Sequence, residues 1–132
     1  MIVADASAVV ELLLGGARGR RVEAILMGEE DRIQAPALLD AEVTQALRRM
    51  VSAGVMTETR GHAAVEILGD LPVTRHLLSP LLPRMWQLRR TLTAYDAAYV
   101  ALAEALACPL LTFDQGIAAA PGHEARVLVP ER

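Results

Sequence analysis

Four acids in this sequence stand where carboxylate chemistry could be done: Asp5, Glu42, Asp96 and Asp114. Asp5 ends the apolar run Ile2-Val3-Ala4, and Asp114 ends the run Leu110-Leu111-Thr112-Phe113. Asp96 is flanked by Tyr95, Ala97, Ala98 and Tyr99, a setting that suits an acid only when its charge is used or paired. Four carboxylates in one crevice repel unless something positive lies between them. An all-oxygen donor set suits Mg²⁺ or Mn²⁺ rather than zinc or copper. His62, His76 and His123 are scattered, with no helical i, i+4 pair and no cysteine partner, so no zinc site is expected. The chemistry implied is phosphoryl transfer or phosphodiester hydrolysis. One or two ions, about 4 Å apart if two, would activate a water and stabilise the leaving oxygen.

Each acid also has a purely structural use open to it. Asp5 could cap a helix, Glu42 could face solvent, Asp96 could complement a helix N-terminus, and Asp114 could lead a turn into Gln115-Gly116. What favours a shared site is that all four fall on one edge of the elements that carry them.

Those elements alternate between apolar strands and helices. Ile2–Ala4 is apolar at every position and reads as a strand buried on both faces. Asp5-Ala6-Ser7 then starts a helix that Gly15-Gly16 ends, and residues 17–27 form a second helix stopped by Gly28. Glu29-Glu30-Asp31 reads as a solvated loop, and 33–35 as a short strand ended by Pro36. Leu38, Leu39, Val43, Leu47 and Met50 recur at helical spacing over 37–53. A further helix starts at Thr57, with Ala63, Ala64, Ile67 and Leu68 as its inner stripe, and residues 71–74 form a weak strand around Pro72. Ser79-Pro80 opens a helix with Leu82, Met85 and Leu88 inward. The helix from Thr93 to Glu104, a strand over 109–113, a Gly/Ala/Pro loop over 116–122 and a strand over 126–129 complete the order. The pattern predicts one domain over residues 1–132: an α/β, three-layer α/β/α architecture with a central, mainly parallel sheet of four or five strands. In such sheets the ligand crevice lies beyond the carboxyl ends of the strands, where Asp5 and Asp114 fall.

Composition narrows the partners. A hydrophobic fraction of 53 % places the chain among globular proteins. No apolar run reaches the roughly 18 residues of a membrane span, and the first residues carry no basic leader, so no membrane or secretory segment is expected. Cys108 stands alone, in keeping with a reducing cytoplasm. All 13 basic residues are arginine, and the net charge is −3. Bulk electrostatic binding of nucleic acid is therefore disfavoured, and any such partner must be held by local arginines and by metal.

Taken together, Ile2-Val-Ala-Asp5-Ala-Ser7, Ala41-Glu42-Val-Thr-Gln-Ala-Leu47, Leu92-Thr-Ala-Tyr-Asp96-Ala-Ala-Tyr-Val-Ala-Leu-Ala-Glu104 and Leu110-Leu-Thr112-Phe-Asp114 resemble a PIN-domain ribonuclease. More narrowly, they resemble the VapC toxin of bacterial VapBC toxin–antitoxin pairs. The resemblance implies a Mg²⁺- or Mn²⁺-dependent endoribonuclease acting on tRNA, rRNA or mRNA. It makes Asp5 and Asp96 direct metal ligands and lets Asp114 bind directly or through water. Glu42 would ligate a second ion or orient the attacking water, and Ser7 and Thr112 would hold the carboxylates. It further implies a homodimer and a VapB-type antitoxin whose C-terminal segment covers the site, in a heterotetramer or larger assembly. Arg48, Arg49, Arg84, Arg89 and Arg90 are candidate RNA-phosphate contacts, with solvated helix arginines an equally good reading of each. A haloacid-dehalogenase-like phosphatase or a receiver domain would need a lysine, which this chain lacks. The alternative from another class is a PIN-like module without catalysis that acts in binding or dimerisation.

Overall fold

The computed structural model describes residues 1–130, apart from the side chains of residues 29–31, so the solvation expected there lies outside the described residues, while the backbone over Met27–Arg32 is a 3₁₀ helix rather than a loop. Among the described residues five strands form one sheet: β1 (Ile2–Ala4), β2 (Ile33–Pro36), β3 (Val73–His76), β4 (Leu110–Leu111) and β5 (Val127–Leu128). They lie in the order β3-β2-β1-β4-β5, and every pairing is parallel. Ile2 pairs with Ile33, and Val3 pairs with Leu110. The strand order reverses at β1, so the crevice of this sheet opens beyond the carboxyl ends of β1 and β4.

Among the described residues seven α-helices cover the sheet: α1 (Ala6–Leu14), α2 (Ala17–Leu26), α3 (Leu39–Ser52), α4 (Glu58–Asp70), α5 (Leu82–Gln87), α6 (Ala94–Leu106) and α7 (Gln115–Ala119). Helices α1 to α4 pack on one another, whereas α6 lies against β1, β2 and β4 with α5 beside it. Residues Ala97 to Ala103 of α6 are all buried, and the alanines among them let the helix approach the strands closely. Gly15, in the left-handed conformation at φ 72°, ends α1 and turns the chain into α2. A Cβ at Gly19 would lie 2.2 Å from the carbonyl oxygen of Glu11, so only glycine lets α2 pack this tightly on α1.

Four differences from the sequence reading have local causes. The short helix α7 occupies what composition reads as a loop, because Asp114 caps it by accepting from the backbone N of Gly116. Strand β3 begins at Val73 rather than Leu71, leaving Pro72, which has no N–H to give, outside the ladder. Residues Ser79–Leu81 form a 3₁₀ turn ahead of α5, and its three-residue period shifts the inward face. Leu81 and Leu88 are therefore buried while Leu82 is 54 % exposed. On α4 the inner stripe is narrower than expected: Gly61, Ala64 and Leu68 are buried, and Ala63 and Ile67 face outward. Among the described residues no helix is long and apolar enough to cross a membrane.

Candidate active site

Asp5 follows β1 directly and is 5 % exposed. Its Oδ1 accepts from the hydroxyl of Ser7 at 2.6 Å and from the backbone N of Ala8 at 3.1 Å. Its Oδ2 accepts a short hydrogen bond from the hydroxyl of Thr112, which is fully buried at the end of β4. Both hydroxyls are fixed in turn by backbone amides. Phe113 N donates to Ser7 Oγ, and Asp114 N donates to Thr112 Oγ1, each at 2.9 Å. Each hydroxyl has a single proton, so accepting from an amide directs that proton onto Asp5. The ends of β1 and β4 are also tied by Asp5 N donating to the carbonyl of Leu111. The capping bond from Ala8 N therefore leaves Asp5 available to a shared site.

The other acids arrive from separate elements. Asp96 is half-buried in the first turn of α6, where Thr93 caps the helix by accepting from Asp96 N at 3.1 Å. Glu42 sits near the start of α3, and its Oε1 accepts from the Tyr99 hydroxyl at 2.6 Å. Asp114 is exposed beyond β4, its Oδ1 held by Gly116 N at 2.8 Å. In the sequence Tyr99 reads as packing more than as chemistry. Its ring is buried, at 2 % exposed, but its hydroxyl fixes a site carboxylate across the crevice. The signal available was its place one turn after Asp96.

Electrostatics binds the four into one cluster. Burial raises the pKa of Asp5, with the charge of Asp96 adding to it. Burial also raises Glu42, helped by Asp96 and Asp5, and raises Asp96, helped by Asp114. Asp96 is thus within Coulombic reach of all three partners. Burial and the bond to Glu42 push the Tyr99 hydroxyl far above its ordinary value, which makes it a fixed donor. None of the four acids is paired with an arginine or histidine among the described residues. No three His, Cys, Asp or Glu side chains among the described residues enclose a metal position as they stand. An open crevice fits an ion such as Mg²⁺, which keeps several waters and takes only one or two protein carboxylates, better than it fits a caged metal.

Raised carboxylate pKa values fix the sign of a pH effect. The contribution of Asp5, Glu42 and Asp96 to metal-free stability is fully present below the unfolded pKa, about 4, and is lost as pH rises through their raised native values. Glu104 works in the opposite sense, because Arg84 lowers its pKa. Glu42→Gln keeps an acceptor for Tyr99 and leaves Glu104 unchanged. In chelator, its melting temperature is expected to rise relative to wild type as pH increases from about 4 to 7. A gap that stays constant over that window would mean Glu42 bears no charge stress.

The candidate RNA arginines separate in space. Arg49 lines a cleft beside Glu42, whereas Arg48 lines a groove between α3 and α4 with Glu58 and His62. Arg84 is held by Glu104 at 2.7 Å and by the carbonyl of Gly122. Arg89 stacks over the exposed Trp86, 4.5 Å from its ring centroid, and Arg90 is exposed.

A parallel sheet with acids gathered at its switch point defines a class, and comparison with known proteins agrees with it. The PIN domain family profile matches residues 2–122, and the chain belongs to that family. Ribonuclease VapC12 of Mycobacterium tuberculosis is 44 % identical over 127 residues, spanning 96 % of this chain and 97 % of its own. Ribonuclease VapC1 of the same organism is 48 % identical over 122 residues, 91 % of this chain and 90 % of its own. Within the PIN family, the chain therefore groups with the VapC ribonucleases. Among solved structures, PAE2754 from Pyrobaculum aerophilum shares the fold with a TM-score of 0.74 at 20 % identity, over 96 % of this chain and 81 % of that one.

Proposed function

We propose that this protein is a Mg²⁺- or Mn²⁺-dependent endoribonuclease, the toxin of a VapBC-type toxin–antitoxin pair. The observation that carries the reading is Asp96, a half-buried carboxylate within Coulombic reach of Asp5, Glu42 and Asp114, with no cationic side chain paired to any of them among the described residues. Such a cluster suits a divalent ion and the phosphate it neutralises. The names of the VapC relatives support RNA as the substrate.

Asp5 and Asp96 would hold the metal, with Asp114 binding it directly or through water. When bound, the ion supplies a nucleophilic water at neutral pH and offsets charge developing on the phosphate. Ser7 and Thr112 fix the orientation of Asp5. Tyr99 occupies Oε1 of Glu42, which leaves Oε2 to accept a hydrogen bond from the attacking water. The partner is a VapB-type antitoxin, bound to a homodimer in a heterotetramer or larger assembly, in the cytoplasm.

The direct test incubates the purified chain with total cellular RNA, with Mn²⁺ or with chelator, and reads fragments on a denaturing gel. Discrete fragments are expected with Mn²⁺ and none with chelator. Cutting that persists in chelator removes the metal from the reading, and no cutting in either condition favours the binding-module alternative.

A further inference from the structure

The cleft beside Glu42 has a content that the four acids do not explain. It holds about 450 Å³ and is lined by Ala41, Glu42, Gln45, Ala46 and Arg49 of α3 and by Tyr95 of α6. That volume falls in the roughly 300–1,000 Å³ range of small-ligand sites. The five α3 residues share one helical face, and the alanines at 41 and 46 leave its floor open. Glu42 belongs both to this cleft and to the acid cluster, so whatever enters the cleft lies next to the reacting centre.

We infer that this cleft is a nucleotide subsite, in which Tyr95 stacks on one base of the RNA beside the scissile phosphate while Arg49 holds a neighbouring phosphate. The inference rests on the ribonuclease reading above. Tyr95 and Tyr99 stand one turn apart on α6, yet the first is 63 % exposed and the second is buried. A lone exposed tyrosine would mean little. This one shares a cleft with an arginine that has neither a hydrogen bond nor an ion pair among the described residues, whereas Arg18, Arg60, Arg75, Arg84 and Arg89 are all engaged. In a chain of net charge −3, an unpaired guanidinium in the cleft that Glu42 also lines is the local attraction a phosphate needs. Gln45, between Glu42 and Arg49 on the same face, offers a donor and an acceptor to a base edge. Aromatic stacking with an arginine on the backbone is the common way of holding single-stranded RNA.

The test maps cut sites on total cellular RNA by sequencing fragment 5′ ends, then measures kinetics on a short single-stranded RNA spanning a preferred cut. Tyr95→Ala is expected to raise KM about 5- to 100-fold with a smaller change in kcat, the range that loss of one stacked base gives. Tyr95→Phe, which keeps the ring, recovers most of that loss. Arg49→Ala raises KM and flattens its salt dependence. Gln45→Ala broadens the base preference next to the cut. Mn²⁺ affinity and melting temperature of Tyr95→Ala stay at wild-type values, which separates a subsite from a structural role. An active wild type whose Tyr95→Ala form keeps the same KM and cut sites overturns the subsite alone. Tyr95→Phe falling as far as Tyr95→Ala also overturns it, because stacking would then not be the interaction. A wild type that cuts no RNA with Mn²⁺ overturns both this inference and the reading beneath it.

Discussion

Asp96→Asn is expected to abolish RNA cleavage and to leave the metal-free protein as stable as wild type, or more so. The loss should reach about 10³-fold or more, since a metal ligand contributes several kcal/mol of charge stabilisation and each 1.36 kcal/mol is a factor of ten in rate. The stability side follows from electrostatics. Burial and the charge of Asp114 both raise the Asp96 pKa, so its ionised form works against the fold at neutral pH. Only the interaction with Thr93 holds its pKa down, and the bond that caps the helix runs from the Asp96 backbone N to Thr93 Oγ1. Asparagine therefore removes charge and leaves the helix cap in place. Asp5→Asn is a less clean probe, because Asp5 accepts hydroxyls on both oxygens and an amide would turn a donor toward Ser7 or Thr112. Thermal melts in chelator and cleavage assays in Mn²⁺ check the two halves separately. A large fall in melting temperature for Asp96→Asn would make this acid structural, and the catalytic assignment would fall with it.

The features legible in the sequence are those written locally. An apolar run that stops at an acid reads as a strand end, so Asp5 and Asp114 fall at the carboxyl edge before any coordinates are known. The helix carrying Asp96 in its opening turn is also legible, and the structure adds that Thr93 caps it. The pairing of Tyr99 with Glu42 spans 57 positions, and neither side chain announces the other. Tyr95 and Tyr99 both look like packing, since four-residue spacing puts them on neighbouring turns of one helix. Only the closeness of α6 to the strands separates them, burying one ring and leaving the other in the cleft. The same limit applies to Arg84. Its commitment to Glu104 joins α5 to the far end of α6, a contact that periodicity cannot supply. Helix α7 is hidden for a different reason: its five residues carry too little pattern to distinguish helix from loop.

Thr112→Val carries the argument about positioning to its second large effect. The two side chains are close to isosteric, so the change leaves little cavity and isolates the hydroxyl. Thr112 Oγ1 joins a buried carboxylate to a partly buried amide: it donates to Asp5 Oδ2 and accepts from Asp114 N. Valine leaves both without that partner at a fully buried position. Losing a hydrogen bond to a charged group and orphaning its partners costs about 3 kcal/mol, which should lower the melting temperature by several degrees. Asp5 also loses one of the bonds that hold its pKa down, so its ionised form becomes harder to reach. Mn²⁺ affinity is expected to fall about 10- to 100-fold, as it does when a group that orients a metal ligand is removed. Cleavage should fall with it and recover in part at higher Mn²⁺ or higher pH, because Asp5 itself is still present. Thr112→Ser, which restores a hydroxyl at the same place, should recover both stability and metal affinity. An affinity unchanged in Thr112→Val would mean that Ser7 and Ala8 N suffice to hold Asp5, and that the bridge from β4 to β1 serves the fold alone.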